Sequence, residues 1–366
     1  FAFGNYGTRR EYWSKRARFD PFLPECNNRM LQILEESGGE YYEIGHHLSH
    51  AANAFFTSPF EEALVITVDG GGNEGPDMAV ALTINEGRDN KIYPKAYFND
   101  VHYNLGVLWF AFTGKIFNLS TGYPIGNQAG SVMAMATMGE PKYVDIINIL
   151  MGRVSNTPDF QTLKTIANES EQGAFDVAAS LQRFTEIKFK EFIDPFVMDK
   201  RPKNICFSGG VSLNCVMLGK IKEWYPFVEN LFCDPVPYDG GLSLGCARYI
   251  WHHVLDNPRI HTSQNRTPYL GVTYSKEQVL KAIQESSDSL NVIQSNDEEV
   301  LDLLEKQKIL AVFGGGSESG RRALGNRSIL VDPRSSMMKD TLNERVKHRQ
   351  WYRPFAPSIL REDVAE

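Results

Sequence analysis

The sequence has 366 residues, 42% hydrophobic and 23% charged, enough to bury a large core and too apolar for a disordered tail. Thirty-eight Lys and Arg against 45 Asp and Glu leave a net charge of -7, which argues against a broad nucleic-acid-binding surface and leaves room for a local basic pocket. At about 150 residues per domain, the length favours two domains.

The opening FAFGNYGTRREYWSKRARFD has no apolar h-region, so it is no secretion signal and reads as a start part-way into a longer chain. EIGHHLSHAANAFFTSPF then places His46 and His50 four apart, one turn apart on one face if the segment is helical. That spacing suits two metal ligands; it also fits ordinary helix-surface or capping histidines, and His47 points elsewhere. LVITVDG at 64–70 and MAVALTI at 78–84 read as strands. The Gly-rich stretch between them is too short for a crossover helix, so they should form an antiparallel hairpin with Asp69 and Gly70 to Gly72 at its turn. Asp69 is the nearest strong carboxylate to join the two imidazoles, and such oxygen and nitrogen ligands fit Fe, Mn or Zn.

LGVLWFAFTGKIF and AFDVAASLQRFTEIKFKEFI carry apolar residues at three- and four-residue steps and read as amphipathic helices. In KNICFSGG at 203–210 a strand runs into Ser208, Gly209 and Gly210 and then a helix-like segment, gathering bare N–H groups in a phosphate-binding arrangement. A tight turn is the alternative, because neither GxGxxG nor GK[ST] is present. In PVPYDGGLSLGCARY, Asp239 either caps the following helix or completes a metal shell with Asp69.

The polar, proline-containing stretch from His252 to Pro268 marks a boundary between a first domain, 1–258, and a second, 268–366. The second runs through YLGVTYSKEQVLKAI, the helix-like NDEEVLDLLEKQK and the strand-like ILAVFGGG to eight arginines between Arg321 and Arg361, set among Gly325, Pro333, Pro354 and Pro357. Guanidinium forks match phosphate and carboxylate oxygens, so several converging would bind a small anion such as an acyl phosphate; a solvated basic face is the alternative. Cys26, Cys206, Cys215, Cys233 and Cys246 form no CxxC pair and read as reduced, packed thiols of a cytoplasmic protein. The longest apolar runs are strand-length, far short of the roughly 20 residues that span a bilayer.

HHLSHAANAFFTSPF, VITVDGGG, SGGVSLNCVMLGKI, PYDGGLSLG, RALGNRSILVDPR and RPFAPSIL, in this order, resemble the O-carbamoyltransferase family, which includes nodulation protein U and the carbamoyltransferases acting on tobramycin and cephamycins. The resemblance implies an α/β fold: a first domain of the actin, hexokinase and sugar-kinase (ribonuclease H-like) type, and a second, YrdC-like α/β domain that forms carbamoyl-adenylate. Carbamoyl phosphate and ATP, with Mg, would give carbamoyl-adenylate and pyrophosphate in the second domain. The carbamoyl group would then pass to a hydroxyl of a small metabolite or sugar at the first.

By the same resemblance, His46, His50, Asp69 and Asp239 form the catalytic centre and its metal site, with Fe(II) favoured and Zn or Mn as alternatives. Gly70, Gly71, Gly72, Gly209, Gly210 and Asn214 fall on nucleotide-binding loops, and Arg322, Arg327, Ser328 and Arg353 on segments that hold carbamoyl phosphate and the adenylate. The family usually begins with a strand and a His-Asp-Ser turn upstream and continues past RPFAPSIL, which implies that part of each domain lies outside this sequence. It also tends to carry Arg where this chain has Gly316 and Pro where it has Arg321; either Arg321 replaces the guanidinium or the anion preference differs. Two other readings stay open. One is the threonylcarbamoyladenosine enzymes of tRNA, which share the HxxxH segment and lack the RALGNRS and RPFAPS blocks; the other is a catalytically silent nucleotide-binding scaffold. Neither a membrane nor a nucleic-acid partner is expected.

Overall fold

The computed structural model describes residues 2–3, 32–33, 36, 38, 42–75, 78–98, 104–119, 128–152, 160–259, 267–286 and 291–365. Cys26 and part of the expected boundary stretch, 260–266, lie outside them. The chain divides into two compact units, residues 1–265 and 266–366.

In the first unit, a short parallel pair, β1 (Ala2–Phe3) and β2 (Tyr42–Glu43), stands apart from a five-stranded mixed sheet. That sheet has the order β5 (Lys91–Phe98), β4 (Met78–Arg88), β3 (Glu62–Gly75), β6 (Asn204–Ser208), β7 (Asn230–Cys233). β3 and β4 pair antiparallel, as the short intervening stretch requires, whereas β3–β6 and β6–β7 pair parallel through helical crossovers. The expected turn position is corrected: β3 runs on to Gly75, and the register jumps between Val68 and Gly72. Asp69 to Gly71 therefore form a bulge inside the strand, made possible by Gly71 at φ +126°.

Helix α1 (His46–Thr57) lies against β3 and is buried at every position but Leu48. Ala51, Ala52 and Ala54 let it approach the sheet closely, and Phe55 fills the space among Val65, Ile92 and Cys206. Full burial of such an aromatic ring stabilises by roughly 1.5–3 kcal/mol. Helix α2 (Leu105–Ala111), capped by the Asn104 side chain on Val107 N at 2.9 Å, runs into a wide turn at Phe112–Ile116. The helices α3 (Ala129–Ala136), α4 (Val144–Gly152), α5 (Gln161–Glu169) and α6 (Glu171–Lys200) follow. Ser170 caps α6, and Arg201 ends it in the left-handed conformation at φ +43°. The short α7 (Cys215–Gly219) and α8 (Ile221–Trp224) connect β6 to β7, and a single turn at Asp239–Gly241 leads into α9 (Leu242–Arg248).

The second unit holds α10 (Lys276–Glu285) and α11 (Asp297–Glu305), an antiparallel pair of β8 (Leu310–Phe313) and β9 (Arg327–Leu330), and α12 (Met338–Arg345). Both α10 and α11 start with reciprocal capping boxes, Ser275 with Gln278 and Asn296 with Glu299. Cys206 and Cys246 are packed as expected, but Cys215 and Cys233 are exposed, one on a five-residue helix and one at the end of an edge strand. Among the described residues, no helix is long and apolar enough to cross a membrane.

Candidate metal centre

α1 starts without a side-chain cap of its own, because its cap residue is Gly45. The Glu74 carboxylate, at the end of β3, takes that role by accepting the His47 N–H and, at 3.3 Å, the Leu48 N–H. A Cβ on residue 45 would fall 2.1 Å from Glu74 Oε2, so only glycine admits the carboxylate there. The charge also complements the positive end of the helix dipole, and Arg259 answers it at the other end by donating to Phe55 O at 2.8 Å and Ser58 O at 2.7 Å. The helix bearing the histidines is thus fixed at both ends.

His46 and His50 project from α1 toward the bulge of β3. His50 Nε2 lies 3.0 Å and His46 Nε2 3.6 Å from Asp69 Oδ2. Asp239 Oδ1 lies 3.5 Å from His50 Nε2 and 3.7 Å from His46 Nε2. One ligand atom from each of the four lies within 4.8 Å of all the others. Atoms bound about 2.0–2.2 Å from one cation stand ~3–4 Å apart, and the 3.0–3.7 Å imidazole–carboxylate separations match that spacing. His46 Nε2 is buried with no hydrogen-bond partner, so its lone pair could be given to a cation. Asp239 does not stand at the cap position of the turn it starts or of α9, which are Tyr238 and Gly241.

Burial opposes protonation of His50, but hydrogen bonds to Asp239 and Asp69 outweigh it and raise its pKa to about 9. Burial likewise opposes the Asp69 charge, yet the adjacent His46 and His50 imidazoles hold that carboxyl well below its usual range. Behind His50, the Ser208 hydroxyl donates to Pro237 O at 3.2 Å and faces His50 Nδ1 at 3.4 Å. A carbonyl only accepts, so the hydroxyl proton goes to Pro237 and His50 donates from Nδ1; a cation taking the place of the Nε2 proton would then find its lone pair there. His47 indeed faces away, with Nε2 donating to Val80 O at 2.9 Å and Nδ1 on Thr67 Oγ1 at 2.6 Å. Burial, helped by the neighbouring imidazoles, lowers its pKa to about 3.

The glycines form the walls of this centre. A Cβ on Gly72 would sit 2.1 Å from the His46 ring, and one on Gly210 would sit 3.2 Å from Asp69 Oδ1. Gly70 gives its carbonyl to Asn104 Nδ2 at 2.9 Å, and Gly209, at φ +90°, lets β6 pass Val68 and donates to Pro237 O at 2.6 Å. Asn214 is occupied: it caps α7 on Met217 N at 3.0 Å and donates to Gln182 Oε1 at 2.9 Å. Sequence reasoning missed Glu74 and Asn53 and placed Ser208 only in a phosphate-binding turn, because their roles depend on contacts between distant segments.

In the second unit, Arg322, Arg349 and Arg353 share one neighbourhood. Burial, and then the charge of Arg322, lowers the pKa of Arg349; burial, Arg349 and Arg322 lower that of Arg353. Such mutual repulsion favours an anion among them. Arg327 instead braces its own loop, donating to Gly314 O at 2.6 Å and stacking 3.7 Å over Phe313. Ser328 Oγ accepts the Gly325 N–H at 3.0 Å, and Glu318 accepts three backbone N–H groups between Leu324 and Arg327. Gly316 sits where a Cβ would meet Tyr269 O at 2.6 Å, so the arginine seen elsewhere in the family pattern has no room without a shift of that segment.

The carbamoyltransferase N-terminus family model matches residues 31–167 and 155–248, and the carbamoyltransferase C-terminus model matches 301–366. The chain belongs to the carbamoyltransferase family. It is 32% identical to an uncharacterized protein of Synechocystis, covering 88% of this chain and 55% of that protein. It is 30% identical to nodulation protein NolNO of Sinorhizobium fredii, covering 88% of this chain and 48% of that protein. The chain therefore spans about half the length of these curated relatives. The solved structure of HypF from T. kodakarensis, 15% identical, matches 63% of this chain and 39% of that chain at a TM-score of 0.36.

Proposed function

We propose that this carbamoyltransferase is an ATP-dependent O-carbamoyltransferase acting on a hydroxyl of a small metabolite or sugar. The observation that carries the reading is the meeting of His46, His50, Asp69 and Asp239 at one point of the first unit, in a chain of this family. In this reading the first unit is the actin- and hexokinase-like transfer domain and the second belongs to a YrdC-like domain.

Water cleaves carbamoyl phosphate to carbamate and phosphate; a carbamate oxygen then attacks the α-phosphorus of ATP, the bond to the β,γ-phosphates breaks, and pyrophosphate leaves with its charge. Arg322, Arg349 and Arg353 neutralise phosphate charge during that step. The resulting carbamoyl-adenylate carries AMP as a good leaving group, which offsets the electron donation that makes a carbamoyl carbon a poor electrophile. At the first unit, His46, His50, Asp69 and Asp239 would hold a divalent cation; their mixed imidazole and carboxylate set suits Fe, Mn or Zn, and the family resemblance favours Fe(II). Such a cation supplies Lewis acidity toward a carbonyl oxygen. Ser208 accepts from His50 Nδ1 and so directs Nε2 toward the carboxylates and the cation they would share, and the bulge at Asp69 aims its carboxylate at both imidazoles.

The test is to incubate the protein with ATP, carbamoyl phosphate and Fe(II) and to measure pyrophosphate. Release is expected only with carbamoyl phosphate present; release at the same rate without it contradicts the proposal.

A further inference from the structure

Asp239 is the most exposed of the four clustered side chains, at 68%, and among the described residues its carboxylate meets only His46 and His50. Its place is therefore set by the backbone of 234–241, and α1 grips that backbone. Asn53 lies one turn beyond His50, so positions 46, 50 and 53 share one stripe of the helix. Asn53 is 0% exposed. Its Nδ2 donates to Asp234 Oδ1 at 3.1 Å and to Val236 O at 3.2 Å, and its Oδ1 accepts from Arg248 Nη1 at 2.6 Å. Asp234 Oδ1 in turn accepts the Val236 N–H at 2.7 Å. A Cβ on Gly241 would come within 2.2 Å of Val236 O and 2.6 Å of Asn53 Nδ2, so the loop folds back tightly over the amide. With a carboxylate and a carbonyl on one side and a guanidinium on the other, only an amide satisfies every partner.

We propose that Asn53 is a positioning residue: it ties the loop carrying Asp239 to the helix carrying His46 and His50, so that one helix sets the spacing of three ligands. The inference rests on the metal-centre reading. A residue that merely packs lowers stability whatever stands at 239, whereas Asn53 acts on the ion through Asp239.

The experiment is a double-mutant cycle of Asn53→Asp and Asp239→Ala. It reads Co(II) affinity from visible absorption, and amide exchange across 236–242 in the metal-free protein. Asn53→Asp keeps the acceptor for Arg248; should it fail to fold, Asp234→Asn probes the same link. Asn53→Asp is expected to weaken Co(II) binding about 10-fold or more, to weaken it no further when Asp239 is already alanine, and to speed exchange at 236–242 while sparing β6. Equal weakening with and without Asp239, or unchanged exchange, overturns the role given to Asn53. Absence of Co(II) uptake by the wild type fails the metal-centre reading instead, so the two failures are distinguishable.

Discussion

Gly72 and His46 occupy space that only one of them can fill. A Cβ on residue 72 would lie 2.1 Å from the imidazole, and backbone on a paired strand has little freedom to yield. Gly72→Ala is therefore expected to push the His46 ring out of line, weakening divalent-metal binding about 10-fold or more with a smaller effect on the unfolding midpoint. Wild-type metal affinity in this variant contradicts the placement. The sequence displays this glycine as one of three in a row, which suggests a loop for phosphate; it cannot display the ring opposite. His46 and His50 were legible because their spacing is local, whereas Asn53 looks like an ordinary polar residue, and Ser208 like part of a phosphate-binding turn, until the chain folds.

Among the elements, those with a strong local period were readable: the β3–β4 hairpin, α1, α6 and α11. β5, KIYPKAYF, was not, because Pro94 and two lysines make it read as a loop, although these residues are suited to an edge strand that must not pair further. The bulge in β3 was also missed, since glycines at a turn and glycines in a bulge look alike in sequence. β5 is held partly by the segment after α9, where His253 Nδ1 accepts the Ile92 N–H at 3.1 Å and His253 O accepts Lys91 Nζ at 2.7 Å. Burial and the Lys91 charge keep the His253 pKa below its ordinary value. When a folded-state pKa is depressed, the unfolded chain takes up the proton first, so this stabilisation is complete above about pH 6.5 and declines as pH falls below it. The denaturation midpoint should thus drop more steeply from about pH 7 to about pH 5 in the wild type than in His253→Gln. Equal slopes contradict the assignment.

For the whole molecule, two compact units each gather one kind of chemistry: imidazoles and carboxylates in the first, guanidinium groups in the second. The α/β class was legible from alternating strand and helix patterns; the two compact units meet at 265/266, inside the polar stretch after His252. From the residues, Asp239 joining a metal shell was one of two open readings, and only the family resemblance chose it, because nothing local links Asp239 to α1. The central claim is that these four side chains bind one ion, and metal content tests it most directly. The protein would be loaded anaerobically with Fe(II), freed of excess, and assayed for iron beside His46→Ala, His50→Ala, Asp69→Ala and Asp239→Ala. The account predicts about one iron per wild-type chain and a marked loss in each variant; iron content that none of the four substitutions lowers would contradict it.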